Sequence, residues 1–369
     1  MRNQRKTPGR LIVGLVIVMM GAFCAKDTSR EIGRNQLVGV KIYEYSGSYP
    51  RLFDEWKSLG INAAFVGASL ASNPEFRGLA EKSGVSVFII FPVFHDPGEL
   101  SRQPGLSAIT ASGQIAREAW VQFACPTRRD YLTRKVELAG KLVRECRPEG
   151  LSLDFVRYFV FWEMVHPERK LDSLPNSCFC PSCLAEFQEA AKIRLPTGPA
   201  DIPASAAWII ANHLQEWADW KCRIIAGAVK ELADEARKIK PDIKINVHTV
   251  PWRKGDMEGA IRIIAGQDLA MIAPFADYLS PMCYHHMVMR PPAWVHSVVE
   301  DADVCARGRI LPSIQVDKAY IDAELTVSDF KEALIEALKP PSRGVVFWSW
   351  PALEKSEGKK DALRDALKK

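Results

Sequence analysis

The sequence predicts an α/β fold, a single (β/α)8 barrel, on three observations. Short β-branched or aromatic runs alternate with amphipathic helical segments eight times between residues 37 and 369. The runs are nearly continuously apolar, which implies parallel strands buried on both faces. The span exceeds the roughly 250 residues of a minimal barrel by enough to hold insertions. Two long ones follow the third run (95–126) and the fourth (159–203), where a barrel builds its active-site rim. A doubly wound open sheet is the alternative. No Gly-rich phosphate loop follows the first run, which argues against its nucleotide-binding forms.

The elements follow in chain order. MRNQRKTPGR carries Arg2, Arg5, Lys6 and Arg10 ahead of the apolar run LIVGLVIVMMGAF. A basic start, a short apolar core and small residues read as an export segment over 1–24, too short for a comfortable transmembrane helix. Cys24 stands where a bacterial lipoprotein is acylated, although Phe23 in GAFC is bulkier than that signal prefers. Residues 25–36 read as a polar tether, and 37–369 as the barrel domain. The strand runs are LVGVKIYEY (37–45), INAAFVG (61–67), VSVFIIFPVF (85–94), GLSLDFVRY (150–158), IKINVHTV (243–250), DYLSPMCYHH (277–286), ILPSIQVD (310–317) and GVVFWSW (344–350). Helical patterns fill the gaps, the longest being AAWIIANHLQEWADWKCRIIAGAVKELADEARKI. Within it Trp208, Trp217 and Trp220 share helical spacing and read as packing.

The composition is that of a globular protein, with 47% hydrophobic and 25% charged residues and a formal charge of +5. No Lys/Arg stripe interleaved with aromatics appears, so nucleic acid is not an expected partner. Membrane contact is expected only through the N-terminal segment or a lipid on Cys24.

SCFCPSC places Cys178, Cys180 and Cys183 within six positions. Thiolates at such spacing suit tetrahedral zinc, which needs a fourth ligand. Cys125, on the other long insertion, is the natural choice because adjacent rim loops meet. A redox CPSC and a Cys178–Cys183 disulfide are the alternatives. Cys146, Cys222, Cys283 and Cys305 read as buried thiols.

These residues carry a resemblance. ACPTRRDYL followed by a strand and then CFCPSCLAEF resembles the zinc-binding pattern of family-42 β-galactosidases, with Cys125, Cys178, Cys180 and Cys183 matching in order and spacing. GLSLDFVRY, YLSPMCYHH and GVVFWSW resemble strands of glycosyl-hydrolase-like barrels, with Asp154 and Arg157 at the matching Asp and Arg. The resemblance implies glycoside hydrolysis with a structural zinc and a carbohydrate substrate. It departs in one place: family-42 enzymes carry Asn-Glu just after the strand-four Asp, and Phe155 and Val156 stand there instead.

Glycoside hydrolysis needs two carboxyl groups flanking the bond, expected at strand C-terminal ends. Asp154 is the first candidate, with Arg157 placed to orient it. Asp317, ending the seventh run, is the second. Glu44, Glu163 and Glu354 stand further back as carboxylate candidates. His248, Trp252, Tyr284, His285, Trp348 and Trp350 fall at late strand positions and suit a sugar cleft, together with Arg157 and Glu44. Adjacent His285 and His286 point to opposite sides and make a poor metal pair. The expectation is an exported glycoside hydrolase. The alternative is a barrel that binds glycans with a degenerate active site, because the missing Glu leaves the second carboxyl group unassigned.

Overall fold

The computed structural model describes Met1 and residues 36–368. The expected export segment and tether therefore lie outside the described residues, except for Met1 and Gln36. Eight parallel strands close into a barrel: β1 (Leu37–Ile42), β2 (Ala63–Val66), β3 (Ser86–Pro92), β4 (Gly150–Asp154), β5 (Lys244–Thr249), β6 (Tyr278–Cys283), β7 (Ser313–Gln315) and β8 (Gly344–Trp348). Each strand bonds to the next, and β8 returns to β1 with Val40 opposite Phe347. Closure rules out the open doubly wound sheet.

Alternation along each strand sorts side chains between the helical shell and the barrel interior. Outside, Trp56 meets Trp350 edge to face at 5.7 Å within one continuous apolar layer under the helices. Inside, the floor is aromatic, with Phe65 stacked on Phe88 at 4.7 Å beside Ile90, Leu311 and Val346. A Cβ on Gly150 would come 2.1 Å from the Phe88 ring, so β4 enters the floor with a glycine.

Above the floor lies a chain of hydrogen bonds crossing five strands. Ser280 donates to Asn246 (2.7 Å), and Asn246 donates to Ser152 (2.9 Å). Ser152 meets His248 Nε2 at 2.9 Å, and His248 Nδ1 meets Lys41 Nζ at 3.4 Å. Lys41 donates to the Tyr284 hydroxyl (3.0 Å), which lies 3.3 Å from Ser313. These groups are buried and satisfy one another, as buried polar groups must.

Several runs end earlier than the sequence pattern suggests. β4 stops at Asp154, not at residue 158, β6 at Cys283, not at 286, and β7 at Gln315, not at 317. The long helical pattern breaks at His213 (φ −140°) into Ile202–Asn212 and Leu214–Ile239. Cys305 is exposed, contrary to its reading as a buried thiol, because it falls on the outer face of Trp294–Ala306.

The two insertions rise together at the C-terminal rim. The first carries a two-residue hairpin, Arg117–Glu118 against Val121–Gln122, and the second carries short turns at Trp162–Met164 and Leu171–Ser173. They are tied by backbone bonds from Phe179 N–H to Ile109 O (2.8 Å) and from Ala111 N–H to Asn176 O (3.1 Å).

Candidate functional site

Asp154 stands at the last position of β4, pointing up from the polar chain below it, and is 6% exposed. The strand ends there because Phe155 takes φ 51°, in the left-handed region that a bulky residue seldom occupies. Strict alternation would have put Arg157 on the opposite face from Asp154. With the chain turning at Phe155, the Arg157 charge acts on Asp154. Arg157 is 1% exposed and wedged against aromatic rings, its guanidinium 4.7 Å from the Phe123 centroid and 5.4 Å from that of Phe155. None of its three nitrogens has a hydrogen-bond partner among the described residues.

Glu163, in the turn Trp162–Met164, is 8% exposed, and its Oε2 also lacks a partner among the described residues. The two acids sit in contrasting electrostatic settings. Burial pushes Asp154 up, but His248, Lys41, the Phe155 N–H bonded to Oδ1 at 2.8 Å, and Arg157 together bring it below the usual carboxylate range. Burial and the Lys41 charge push His248 itself down to about 3, so its imidazole is neutral near pH 7. The cations that hold Asp154 ionised there are Lys41 and Arg157. Burial lowers Lys41 to about 8 against the opposing pull of Asp154. Glu163 goes the other way: burial lifts it to about 7, with Arg157 only partly offsetting the rise. One carboxylate and one carboxylic acid in each other's field form a pair suited to base-and-acid chemistry.

The other expected residues divide. His248 and Tyr284 lie in the polar chain beneath Asp154, and Trp348 stacks on Tyr284 at 4.8 Å. Asp317 is exposed, because β7 ends two residues earlier. Its Oδ1 accepts the N–H of Lys318, and it lines a shallow 280 Å³ cavity with Lys318, Trp348 and Ser349. Glu44 is exposed, and Glu354 accepts a bond from the Tyr45 hydroxyl at 3.2 Å. Trp252 is buried. His285 is buried and pushed down to about 4, by burial first and by His286 next, and no hydrogen bond links it to Asp154. Trp350 does not end a strand. It opens the helix Trp350–Glu354 and packs in the outer core, fully buried.

Lys41 and Tyr43 escaped the sequence reading. Lys41 had a signal, a lone charge in the apolar run LVGVKI, of the kind that marked Asp154. Tyr43 is 44% exposed as a residue, while burial and then the charge of Asp154 raise its hydroxyl.

The four cysteines form a second constellation. The Sγ atoms of Cys125, Cys178, Cys180 and Cys183 all lie within 4.8 Å of one another, with no disulfide among them. Cys125 is 3.3 Å from Cys183 and 3.7 Å from Cys180, and Cys178 accepts the Ile109 N–H at 3.2 Å. A tetrahedron of sulfurs about 2.3 Å from a metal has edges of roughly 3.8 Å, so the cluster could bind a metal ion. Lys221 braces it from below, donating to Asn176 Oδ1 and Ser177 O at 2.9 Å each.

No family profile matches the sequence, and no curated protein does. Among solved structures the chain is similar to the PgaB (BpsB) glycoside hydrolase domain from Bordetella bronchiseptica, with a TM-score of 0.67 and 14% identity over 90% of this chain and 98% of that one. It is also similar to the β-galactosidase of the psychrophilic Marinomonas ef1, with a TM-score of 0.64 and 12% identity over 89% of this chain and 59% of that one. A catalytic mutant of Gan42B, a GH42 β-galactosidase from G. stearothermophilus, matches with a TM-score of 0.58 and 15% identity over 90% and 57%. The chain thus spans less than two thirds of these β-galactosidase chains. Likeness at such identities carries the fold: the protein has the (β/α)8 barrel found in these glycoside hydrolases.

Proposed function

We propose that the protein is an exported glycoside hydrolase that cleaves O-glycosyl bonds in an oligo- or polysaccharide. The observation that carries this reading is the divided pair at the rim, Asp154 ionised and Glu163 protonated up to about pH 7. In this mechanism Glu163 gives its proton to the leaving glycosidic oxygen. Asp154 supports the positive charge that builds at the sugar ring, as nucleophile or as base to a water. Lys41 and Arg157 keep Asp154 charged, and His248 holds Lys41 in place. This assigns the second carboxyl role to Glu163 in place of Asp317, which is exposed.

A zinc ion held by Cys125, Cys178, Cys180 and Cys183 fits as a structural tie between the two rim loops. Four thiolates leave no open position for a substrate or water, so its contribution is to tie the loop that carries Arg157 and Glu163 to its neighbour. The N-terminal pattern supports export. Mass spectrometry of cell-extracted protein tests it, and an intact chain starting at Met1 in the cytosol would contradict it.

A panel of chromogenic glycosides and polysaccharides tests the hydrolase reading, run with wild type, Asp154→Asn and Glu163→Gln. Turnover by wild type that both variants lose supports it. The low exposure of both acids favours the second reading, a glycan-binding barrel, which predicts binding without turnover in all three proteins.

A further inference from the structure

We propose that Trp120 and Tyr320 form a strap that closes one half of the barrel mouth, so that the site takes the end of a glycan chain and excludes its middle. The choice of a glycan rests on the hydrolase reading above; the shape of the site rests on geometry.

Trp120 sits in the turn of the hairpin after β3, and Tyr320 follows β7. In the closed order of the barrel, β3 and β7 are separated by three strands on either side and so stand opposite each other. Trp120 Nε1–H nevertheless donates to the Tyr320 hydroxyl at 2.8 Å, which joins the two loops across the mouth. Phe161, from the loop after β4, props the joint edge-on, 6.1 Å from Trp120 and 5.4 Å from Tyr320. Both members remain partly open to solvent, at 46% and 44% exposure, as a strap on the outer surface should be.

The strap separates two unlike halves. On the β4–β6 side Trp162, Glu163, Tyr284 and His285 are all buried. On the β8–β1 side Tyr43 is 44% exposed, and Trp348 is partly exposed. In this proposal a ligand reaching Asp154 enters past Tyr43 and Trp348 and stops against the buried half. A polysaccharide threaded across the rim would need to pass through the strap. A terminal sugar would not. Tyr43 and Trp348 then offer aromatic faces to the units that trail behind it.

The test measures how the chain is cut. On whichever polysaccharide of the panel is hydrolysed, wild type should release reducing ends while mean chain length, read by size exclusion, stays nearly constant. Trp120→Ala removes the strap and should raise internal cleavage per bond broken by about tenfold, the scale of a modest steric discrimination. Tyr320→Phe, which loses only the hydrogen bond, should move the same ratio less. Internal cleavage by wild type, or a ratio unchanged in Trp120→Ala, overturns the strap while leaving the hydrolase reading intact. If wild type cleaves nothing, the hydrolase reading fails by itself, and calorimetric binding of maltoheptaose against β-cyclodextrin, and of linear against cyclic β-glucan, decides the strap. Preference for the linear partner, lost in Trp120→Ala, supports it. Equal binding or none overturns it.

Discussion

Cys178, Cys180 and Cys183 share the loop after β4 with Arg157 and Glu163, yet the two groups are built in opposite ways. Every thiol of the cluster has a sulfur, hydroxyl or backbone N–H within reach, and Cys125 reaches it from the neighbouring loop. Arg157 offers three buried nitrogens and Glu163 a buried oxygen that meet no partner among the described residues. Burying such groups unpaired costs free energy, whereas a cluster that satisfies itself, or shares one metal, holds its loops at little cost. On the proposed function, the satisfied cluster fixes the rim and the unsatisfied groups are the ones that meet a ligand.

The sharpest break between the two regions is in turnover. Asp154→Asn or Glu163→Gln should lower kcat by about 10²–10⁴, the usual contribution of a positioned acid or base. At pH 5, where Glu163 is neutral, Glu163→Gln should leave the melting temperature nearly unchanged, whereas Asp154→Asn removes the charge opposite Lys41 and Arg157 and should melt earlier. A variant that melts early but turns over normally would move the carboxyl pair into the structural class.

Trp350→Ala probes the outer core and should cost about 3–5 kcal/mol of stability, as large-to-small aromatic changes do, with kcat per folded molecule unchanged. Denaturant titration beside kinetics reads both. A selective loss of sugar affinity would return Trp350 to the cleft.

Cys178→Ser, or stripping bound metal with a chelator, should lower stability by a few kcal/mol. Protease sensitivity should rise first in the two rim loops. Metal analysis of the purified wild type should find close to one zinc per chain, and disulfides among the four cysteines with no metal would refute the cluster's assignment.

The smallest effect is in the pH dependence of stability. Folded Glu163 keeps its proton up to about pH 7, while the unfolded side chain releases it near 4.5. Between those values the folded state binds more protons, so this group's contribution to stability falls as pH rises, by at most about 3 kcal/mol. Unfolding free energy followed from pH 4.5 to 7 should fall more steeply in wild type than in Glu163→Gln. Parallel curves would mean that Glu163 is not buried as a neutral acid.

The barrel and the cysteine cluster were legible in the sequence because their signals are local or periodic. Eight apolar runs repeat along the chain, and three cysteines crowd into SCFCPSC. Asp154 was visible as a charge inside such a run. What the pattern could not show depends on how strands end. A left-handed Phe155 brings Arg157 toward Asp154 where alternation would separate them. β7 ends before Asp317 and leaves it outside, and a helix starting at Trp350 takes that ring into the core. Glu163 lies on an irregular loop with no period to mark it. Trp120 and Tyr320 are 200 residues apart and meet only because the barrel closes.

The pH dependence of kcat/KM for wild type and Glu163→Gln tests the carboxyl pair most directly. Wild type should lose activity on the alkaline side near pH 7 as Glu163 gives up its proton, and on the acid side where Asp154 is protonated. Glu163→Gln should lack the alkaline limb near 7 and run about 10²–10⁴ slower at its plateau. A Glu163→Gln variant with the wild-type rate, or with the same limb near pH 7, would contradict the assignment.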